Sequence, residues 1–107
     1  MKYTFNETEK YDKLYSRESK FLILEFKTDN VKEIIVSKEG AIDSSFDEFK
    51  NNFKEDTCFF AIYNVEFLGR DKFLFISWNG PKAKLKLKTS FSHAKFSIKS
   101  TYNKLFN

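Results

Sequence analysis

The chain has 107 residues, of which 41% are hydrophobic and 19% aromatic, with only three glycines and one proline. This composition is typical of a packed protein and excludes a disordered or linker-rich chain. The longest apolar runs, at residues 58–62 and 73–76, are far shorter than the ~20 residues of a transmembrane helix. Residues 1–13 contain no apolar segment typical of a secretory signal. We therefore expect one cytoplasmic domain that spans residues 1–107.

The formal charge of +4 is unevenly distributed along the chain. Residues 1–71 contain eleven Lys or Arg and fifteen Asp or Glu, whereas residues 72–107 contain eight Lys and no acidic residue. This asymmetry predicts that the C-terminal third faces an anionic partner, such as an acidic protein surface, acidic lipid headgroups or nucleic acid. A solvated lysine-rich face that only maintains solubility is the alternative, and charge alone does not separate the two.

The N-terminal part of the chain predicts a helix followed by a β-hairpin. Asn6 is followed three residues later by Glu9, which resembles a capping box, so residues 6–15 are predicted as a short helix. Residues 20–27 and 31–36 are strand-like, and residues 28–30 between them have the sequence Thr-Asp-Asn, which suits a tight turn.

A second helix and a second hairpin follow. A capping box at Ser45 and an i, i+3, i+7 series of phenylalanines predict a helix that ends near Phe53 and lies on the sheet. Residues 58–67 and 72–78 are strand-like and are separated by residues 68–71. Both runs are almost continuously hydrophobic, which predicts central strands that helices cover on both faces.

The last segment supports two conflicting interpretations. Residues 82–88 alternate between Lys and apolar residues, which is typical of a half-exposed strand. Apolar residues also recur every three or four positions over about six turns, which predicts a long helix. They are Ala83, Leu87, Phe91, Ala94, Ile98, Tyr102 and Leu105. We favour the helix, with Pro81 at its first position, where a missing N–H has no cost.

The order helix, hairpin, helix, hairpin and long basic helix resembles that of the actin-depolymerizing factor/cofilin family. Four stretches carry the resemblance: residues 32–36 are similar to the family pattern KEIVV, 45–49 to YDDF, 55–67 to ENDCRYAIYDFEF with one extra residue before Cys58, and 75–78 to FISW. From Trp78 the chain aligns without a gap to the family pattern WxPDxAPVKSKMxYASSKDALRR. The resemblance covers about residues 6–99.

The resemblance implies an α/β fold of the α+β sandwich type. We expect a central, mainly antiparallel sheet of four or five strands flanked by helices, as in the actin-depolymerizing factor homology (gelsolin-like) domain. Family members usually continue beyond the position of Asn107, so we expect the usual C-terminal helix to be lacking.

The resemblance also implies where actin would bind. In the family, two basic residues near the start of the long helix contact the actin monomer, and they match Lys86 and Lys88. Lys95 and Lys99 match further basic positions, and Lys84 lies one turn before Lys88. A row of ammonium groups on a rigid helix suits the acidic surface of actin. The regulatory serine that members often carry near the N-terminus has no match, and Thr4 is its candidate substitute.

A second site, which faces the actin filament, is implied by Arg70 and Lys72, because they match basic residues of the family's projecting hairpin. The hairpin loop here is much shorter than in the family, and the C-terminal part of that site is absent from the sequence given. We therefore expect monomer binding or modest severing, and not stable decoration of filaments.

The sequence predicts a monomeric binding protein and not an enzyme. It has a single histidine, His93, and a single cysteine, Cys58, so no catalytic residue, metal site or cofactor is predicted. Besides actin, acidic phosphoinositides are a partner that the lysine face allows. The alternatives are a coactosin-like filament binder without disassembly activity and a nucleic-acid-binding module. The latter is disfavoured because Phe91 and Tyr102 lie on the inward stripe, where they cannot stack on bases.

Overall fold

The computed structural model of the protein describes residues 3–27, 30–83 and 85–106, and the side chains of residues 30–31 and 85–89 lie outside the description. Within these described residues, five strands alternate irregularly with three α-helices, and a short 3-10 helix follows the last α-helix. The elements are β1 (Thr4–Phe5), α1 (Glu9–Tyr15), β2 (Ser19–Lys27), β3 (Asn30–Ala41), α2 (Phe46–Lys50), β4 (Cys58–Phe67), β5 (Arg70–Asn79), α3 (Leu85–Thr101) and the 3-10 helix (Asn103–Leu105).

The strands form one sheet in the order β1-β3-β2-β4-β5. The pairs β2–β3, β2–β4 and β4–β5 are antiparallel, and β1 runs parallel to β3. The predicted α+β fold with a mainly antiparallel sheet is therefore confirmed. Two residues of the turn predicted after β2, Thr28 and Asp29, lie outside the described residues.

Helices cover both faces of this sheet because successive side chains of its central strands point to opposite sides. Leu22 and Leu24 of β2 pack in a core with residues of α1 and α3. Phe21 and Ile23, their neighbours in the same strand, pack in a second core with Phe49 of α2. We call these two clusters the α1/α3 core and the α2 core.

The C-terminal segment forms the predicted helix, and the strand alternative is wrong. Phe91, Ala94 and Ile98 of the apolar stripe are buried in the α1/α3 core, and Leu105 of the 3-10 helix joins them. The period-two lysine pattern misleads because a lysine remains solvated in either structure, whereas the apolar residues must all reach one core. Of the described helices, α3 included, none combines the length and the apolar character needed to cross a membrane.

Helix α3 begins at Leu85, so the predicted start at Pro81 is wrong. The preceding residues are held by the loop before β4, where the N–H of Gly80 donates to the Thr57 carbonyl at 2.9 Å and the N–H of Lys82 donates to the Glu55 carbonyl at 2.8 Å. A Cβ at Gly80 would lie 2.3 Å from the Glu55 carbonyl oxygen, so this close approach requires glycine.

Helices α1 and α2 each span fewer residues than the sequence predicted. Helix α1 begins at Glu9 after Thr8, because the side chain of Asn6 donates to the Glu33 carboxylate at 2.5 Å instead of capping the helix. Helix α2 has the predicted cap, with the N–H of Glu48 donating to Ser45 Oγ at 3.3 Å, but it ends at Lys50. Phe53 lies beyond the helix and still packs against the α2 core.

The two strands of the second hairpin differ in position, and only one agrees with the sequence prediction. Strand β4 is central and buried over most of its length, as expected. Strand β5 lies at one edge of the described sheet, so its predicted central position is wrong. Its hydrophobic run misleads because Phe75 packs on the α1/α3 core and Ile76 on the α2 core, while Leu74, just before them, is 47% exposed.

The position of α3 depends on Ile98, which is fully buried beneath it. We expect Ile98→Ala to lower the free energy of unfolding by about 2–5 kcal/mol, because the shorter side chain leaves a cavity between helix and sheet. Ser100→Ala, on the exposed side of the same helix, should change it by less than about 0.5 kcal/mol. Urea unfolding followed by circular dichroism measures both. Equal stability of the two variants would contradict the packing described here.

Candidate functional site

The outer face of α3 carries two lysines and one aromatic residue. Lys95 and Lys99 are exposed beside the buried stripe, one turn apart on the helix, and Phe96, which lies between them in the sequence, is 77% exposed. The Nζ atom of Lys99 lies 5.8 Å from the centre of the Phe75 ring, so this lysine leans toward β5. Helix α3 thus presents a cationic surface with an apolar centre, and its inner face is held by the core.

The lysines predicted to contact the actin monomer most directly lie near the start of α3. The backbone of Lys86 and Lys88 belongs to the first turns of the helix, but their side chains lie outside the described residues. Lys84 lies outside them altogether. The structure therefore places the backbone of Lys86 and Lys88 on the same helix as Lys95 and Lys99.

The electrostatics at the start of α3 are unusual for a helix. The first turn contains no acidic residue, although the positive end of the helix dipole favours carboxylates there. Lys86 and Lys88 add positive charge at the same end. This arrangement costs the helix some stability, and it raises the positive potential that an anionic partner would meet.

A second basic surface lies on the hairpin of β4 and β5. Arg70 and Lys72 are exposed, and they share a face of the sheet with Phe67, which is paired with Arg70 across the hairpin. The Nζ atom of Lys72 lies 5.5 Å from the centre of the Phe67 ring, a cation–π distance. The structure thus brings the two predicted filament-site residues together, on a different element from the α3 lysines.

A groove of about 670 Å³ lies beside this hairpin, between the end of α1 and the C-terminal 3-10 helix. Its lining includes two cations that the sequence did not indicate, Arg17 and Lys104. Arg17 forms an ion pair with Asp71, and Lys104 pairs with Asp12 at 2.9 Å. Sequence reasoning missed them because only the fold brings residues 17, 70 and 104 together. The groove is open to solvent, and its lining combines these cations with aromatic residues such as Phe73.

Thr4 lies in the short strand β1, opposite Glu33 of β3, and its side chain is exposed. The Glu33 carboxylate accepts the hydrogen bond from Asn6 and lies 3.5 Å from Lys27 Nζ. The hydrogen bond from Asn6, with the nearby Lys27 charge, holds the pKa of Glu33 below its ordinary value. The N-terminal strand is therefore tied to the sheet by an ionised carboxylate, on a different element from α3.

The depressed pKa of Glu33 predicts an acid-sensitive attachment of β1. Because the folded protein favours the ionised form, the stabilisation is present at neutral pH and is lost as the pH falls through the folded-state pKa. We expect Glu33→Gln to be less stable than the unmodified chain at pH 7, with the difference shrinking below about pH 4. Urea unfolding at several pH values tests this, and Asn6→Ala should change the pH dependence in the same direction. A difference that stays constant down to pH 3 would contradict the assignment.

The fold and both basic surfaces can be compared with known proteins. A model of the family described as cofilin/tropomyosin-type actin-binding protein matches residues 6–106. The chain belongs to this family. It is 36% identical over 81 residues to a cofilin from Schizosaccharomyces pombe, an alignment that covers 72% of the chain and 59% of that relative. It is 31% identical over 80 residues to actin-depolymerizing factor 3 from Zea mays, covering 70% of the chain and 58% of that relative.

These alignments span less than two thirds of the length of each of these cofilin-type relatives. Among solved structures, the chain is similar to a cofilin from Streptomyces griseoflavus, with a TM-score of 0.81 and 29% identity over 96% of the chain and 80% of that structure. It is also similar to coactosin from Entamoeba histolytica, with a TM-score of 0.78 and 25% identity over 97% of the chain and 78% of that structure. The cofilin-type fold is thus represented over almost the whole chain.

The histidine, the cysteine and the acidic residues of this cofilin-type domain are the side chains that could bind a metal ion. Within the part of the chain that the structure describes, no group of His, Cys, Asp and Glu is arranged to hold a metal ion. His93 is exposed on α3, and Cys58 is buried with its Sγ atom 3.3 Å from Asn79 Oδ1. The described surface instead offers exposed lysines and a few exposed apolar side chains, among them Phe96.

Proposed function

We propose that this chain binds actin monomers through the outer face of α3 and promotes filament disassembly or modest severing. The observation that carries the proposal is the division of α3 into a buried face and a lysine-bearing exposed face, in a member of a family of actin-binding proteins. Lys84, Lys86, Lys88, Lys95 and Lys99 form the proposed monomer site. Thr4, close to the N-terminus, is proposed to contribute at its margin.

A rigid helix suits this role because its charges are held in fixed positions before the partner arrives. In the described structure, neither Lys95 nor Lys99 forms an ion pair, so both are available to the carboxylates of an acidic partner. Complementary charge accelerates encounter and fixes the orientation of the complex. The burial of Ile98 and Phe91 beneath the lysines prevents the helix from rotating away from the bound partner.

The hairpin residues Arg70 and Lys72 form the proposed filament site. The turn between β4 and β5 has only two residues, so this hairpin projects little beyond the sheet. A small contact area supports weak binding to filaments, which is consistent with modest severing and not with stable decoration.

The remaining parts of the proposal concern the protein as a whole. One domain spanning residues 1–107 would carry both contacts and act as a cytoplasmic, cytoskeletal monomer without enzymatic activity. Acidic phosphoinositides would compete with actin, because the same lysines attract any dense negative charge.

The monomer site is tested by reversing two charges at the start of α3. We expect Lys86→Glu/Lys88→Glu to weaken binding to actin monomers roughly 30-fold or more, because cations at the centre of an interface become repulsive. Lys38→Glu/Lys54→Glu is the matched control, since it makes the same charge change at exposed positions away from α3. Fluorescence titration of labelled actin monomers at physiological salt measures the affinities. If both double variants bind as the unmodified chain does, the site assignment is wrong.

The filament site is tested separately by Arg70→Glu/Lys72→Glu. This variant should lower filament co-sedimentation about tenfold and leave monomer affinity within about twofold, because the two surfaces lie on different elements. Stoichiometric and tight decoration of filaments by the unmodified chain would refute the proposal that this site is weak.

A coactosin-like filament binder is the second candidate function. This candidate is supported by the similarity to the coactosin from Entamoeba histolytica, whose TM-score is close to that of the cofilin from Streptomyces griseoflavus. Microscopy of filament length separates the two, because filaments shorten with a disassembling protein and keep their length with a binder that does not disassemble them.

A further inference from the structure

Helices cover the two faces of the sheet unequally. One face carries α1 and the 17-residue helix α3, whereas the other carries, among the described residues, only the five-residue helix α2. Helix α2 is about 7.5 Å long, whereas the ten-residue strands β4 and β5 each extend about 33 Å. Helix α2 therefore leaves much of its face of β4 and β5 uncovered.

Apolar side chains are exposed on this uncovered part of the sheet. Leu74 of β5 is 47% exposed and pairs with Tyr63 of β4, so both side chains lie on the α2 face. Phe67, on the same face of β4, is 56% exposed. Phe46, at the start of α2, is 55% exposed, and its ring lies edge-on to that of Tyr63 with 5.8 Å between the ring centres. We call the following surface the β4/β5 patch: Phe46, Val65, Phe67 and Leu74.

Three lysines border the β4/β5 patch. Each has its Nζ atom between 5.4 and 5.8 Å from the centre of an aromatic ring, a cation–π distance. The pairs are Lys20 with Tyr63, Lys50 with Phe46, and Lys72 with Phe67. Lys50 also pairs with Asp47, whereas in the described structure neither Lys20 nor Lys72 forms an ion pair. An apolar centre with a positive border complements a partner that has acidic residues beside an apolar stripe.

Charge and shape decide which partner fits the β4/β5 patch. Two copies of this chain packed face to face would bring their lysine borders together, and like charges at an interface are repulsive. Helix α2 rises beside the patch by about one helix diameter, 10–12 Å, so the patch is a recess that a flat bilayer does not enter. A second helix lying beside α2 fits this recess, because helices and sheets pack in layers through their apolar faces.

We propose that the β4/β5 patch binds an amphipathic helix of a partner protein. The apolar stripe of that helix packs on Leu74 and Phe46, and its acidic margins face Lys20 and Lys50, a helix-in-groove type of recognition. The bound helix would extend the layer that α2 begins. This inference goes beyond the proposed function, because the lysines of α3 lie on the other face of the sheet and stay accessible to an actin monomer.

The test uses two synthetic peptides as probes, each of about 18 residues so that a helix can form. Both have leucine at helical spacing on one face, and one has glutamate and the other lysine along the margins of that face. Fluorescence anisotropy of the labelled peptides measures their affinity for the whole chain. We expect the glutamate peptide to bind at least tenfold more tightly, because only its margins complement the lysine border.

Two variants separate the apolar contribution from the charged one. Leu74→Thr should weaken binding of the glutamate peptide about tenfold, because it removes an apolar side chain from the patch and keeps a good strand former. Lys20→Glu/Lys50→Glu should reverse the preference, so that the lysine peptide binds more tightly. Phe67 and Lys72 are left unchanged because they adjoin the proposed filament site.

Phe96→Gln and Lys95→Glu/Lys99→Glu are the matched controls. They remove an exposed apolar side chain and reverse two exposed charges on α3, away from the patch. Both should leave the affinity for the glutamate peptide within about twofold. An equal loss of affinity in these controls would overturn the proposal, as would equal binding of the two peptides or binding of neither.

The other occupants of the β4/β5 patch are outcomes of the same set of variants. If analytical ultracentrifugation shows a dimer that Leu74→Thr dissociates, the patch binds a second copy and the proposal is overturned. If the chain binds vesicles of phosphatidylserine and phosphatidylcholine through Leu74 and binds neither peptide, the patch meets a membrane and the proposal is likewise overturned.

Discussion

The attachment of α3 to the sheet is the constraint on which the rest of this structure depends. Phe91, Ala94 and Ile98 are buried against the face that β2 and β4 present with their alternate residues. Burial of such side chains contributes about 1.5–3 kcal/mol each for the larger ones, and it fixes both the position and the rotation of the helix. Lys95 and Lys99, beside the buried residues, are thereby kept at the exposed surface of the helix. A helix free to rotate could not present them as one surface.

The two basic surfaces differ in how their charges are supported. The lysines of α3 lie on a helix with no acidic residue in its first turn, so the helix dipole and the side chains add their positive charge. At the hairpin, Asp71 and Asp12 neutralise Arg17 and Lys104 and leave Arg70 and Lys72 as the outward cations. Under the proposed function, the first surface therefore suits an electrostatically steered encounter, whereas the second, with fewer outward cations, suits a smaller local contact.

The sequence predicted the parts of the fold in which burial leaves no alternative. The apolar spacing of α3 identified the helix because these residues must reach one core, and the Ser45 cap of α2 was correct because its partner lies only three residues away. Long-range contacts explain the errors. Asn6 bonds to Glu33 and not to its own helix, the loop at Glu55 delays α3 beyond Pro81, and the edge position of β5 depends on the pairing of the whole sheet. Only the folded chain shows that Arg17 and Lys104 lie beside the hairpin and that Leu68 has a positive φ angle.

We propose that the exposed face of α3 is the surface that meets actin. The most direct measurement is a two-dimensional NMR titration of the isotope-labelled chain with unlabelled actin monomers. We expect the signals of Lys95, Phe96 and Lys99 to shift or broaden first, while those of α2, on the opposite face of the sheet, keep their positions. Changes concentrated on α2, with the α3 signals unmoved at saturating actin, would contradict it.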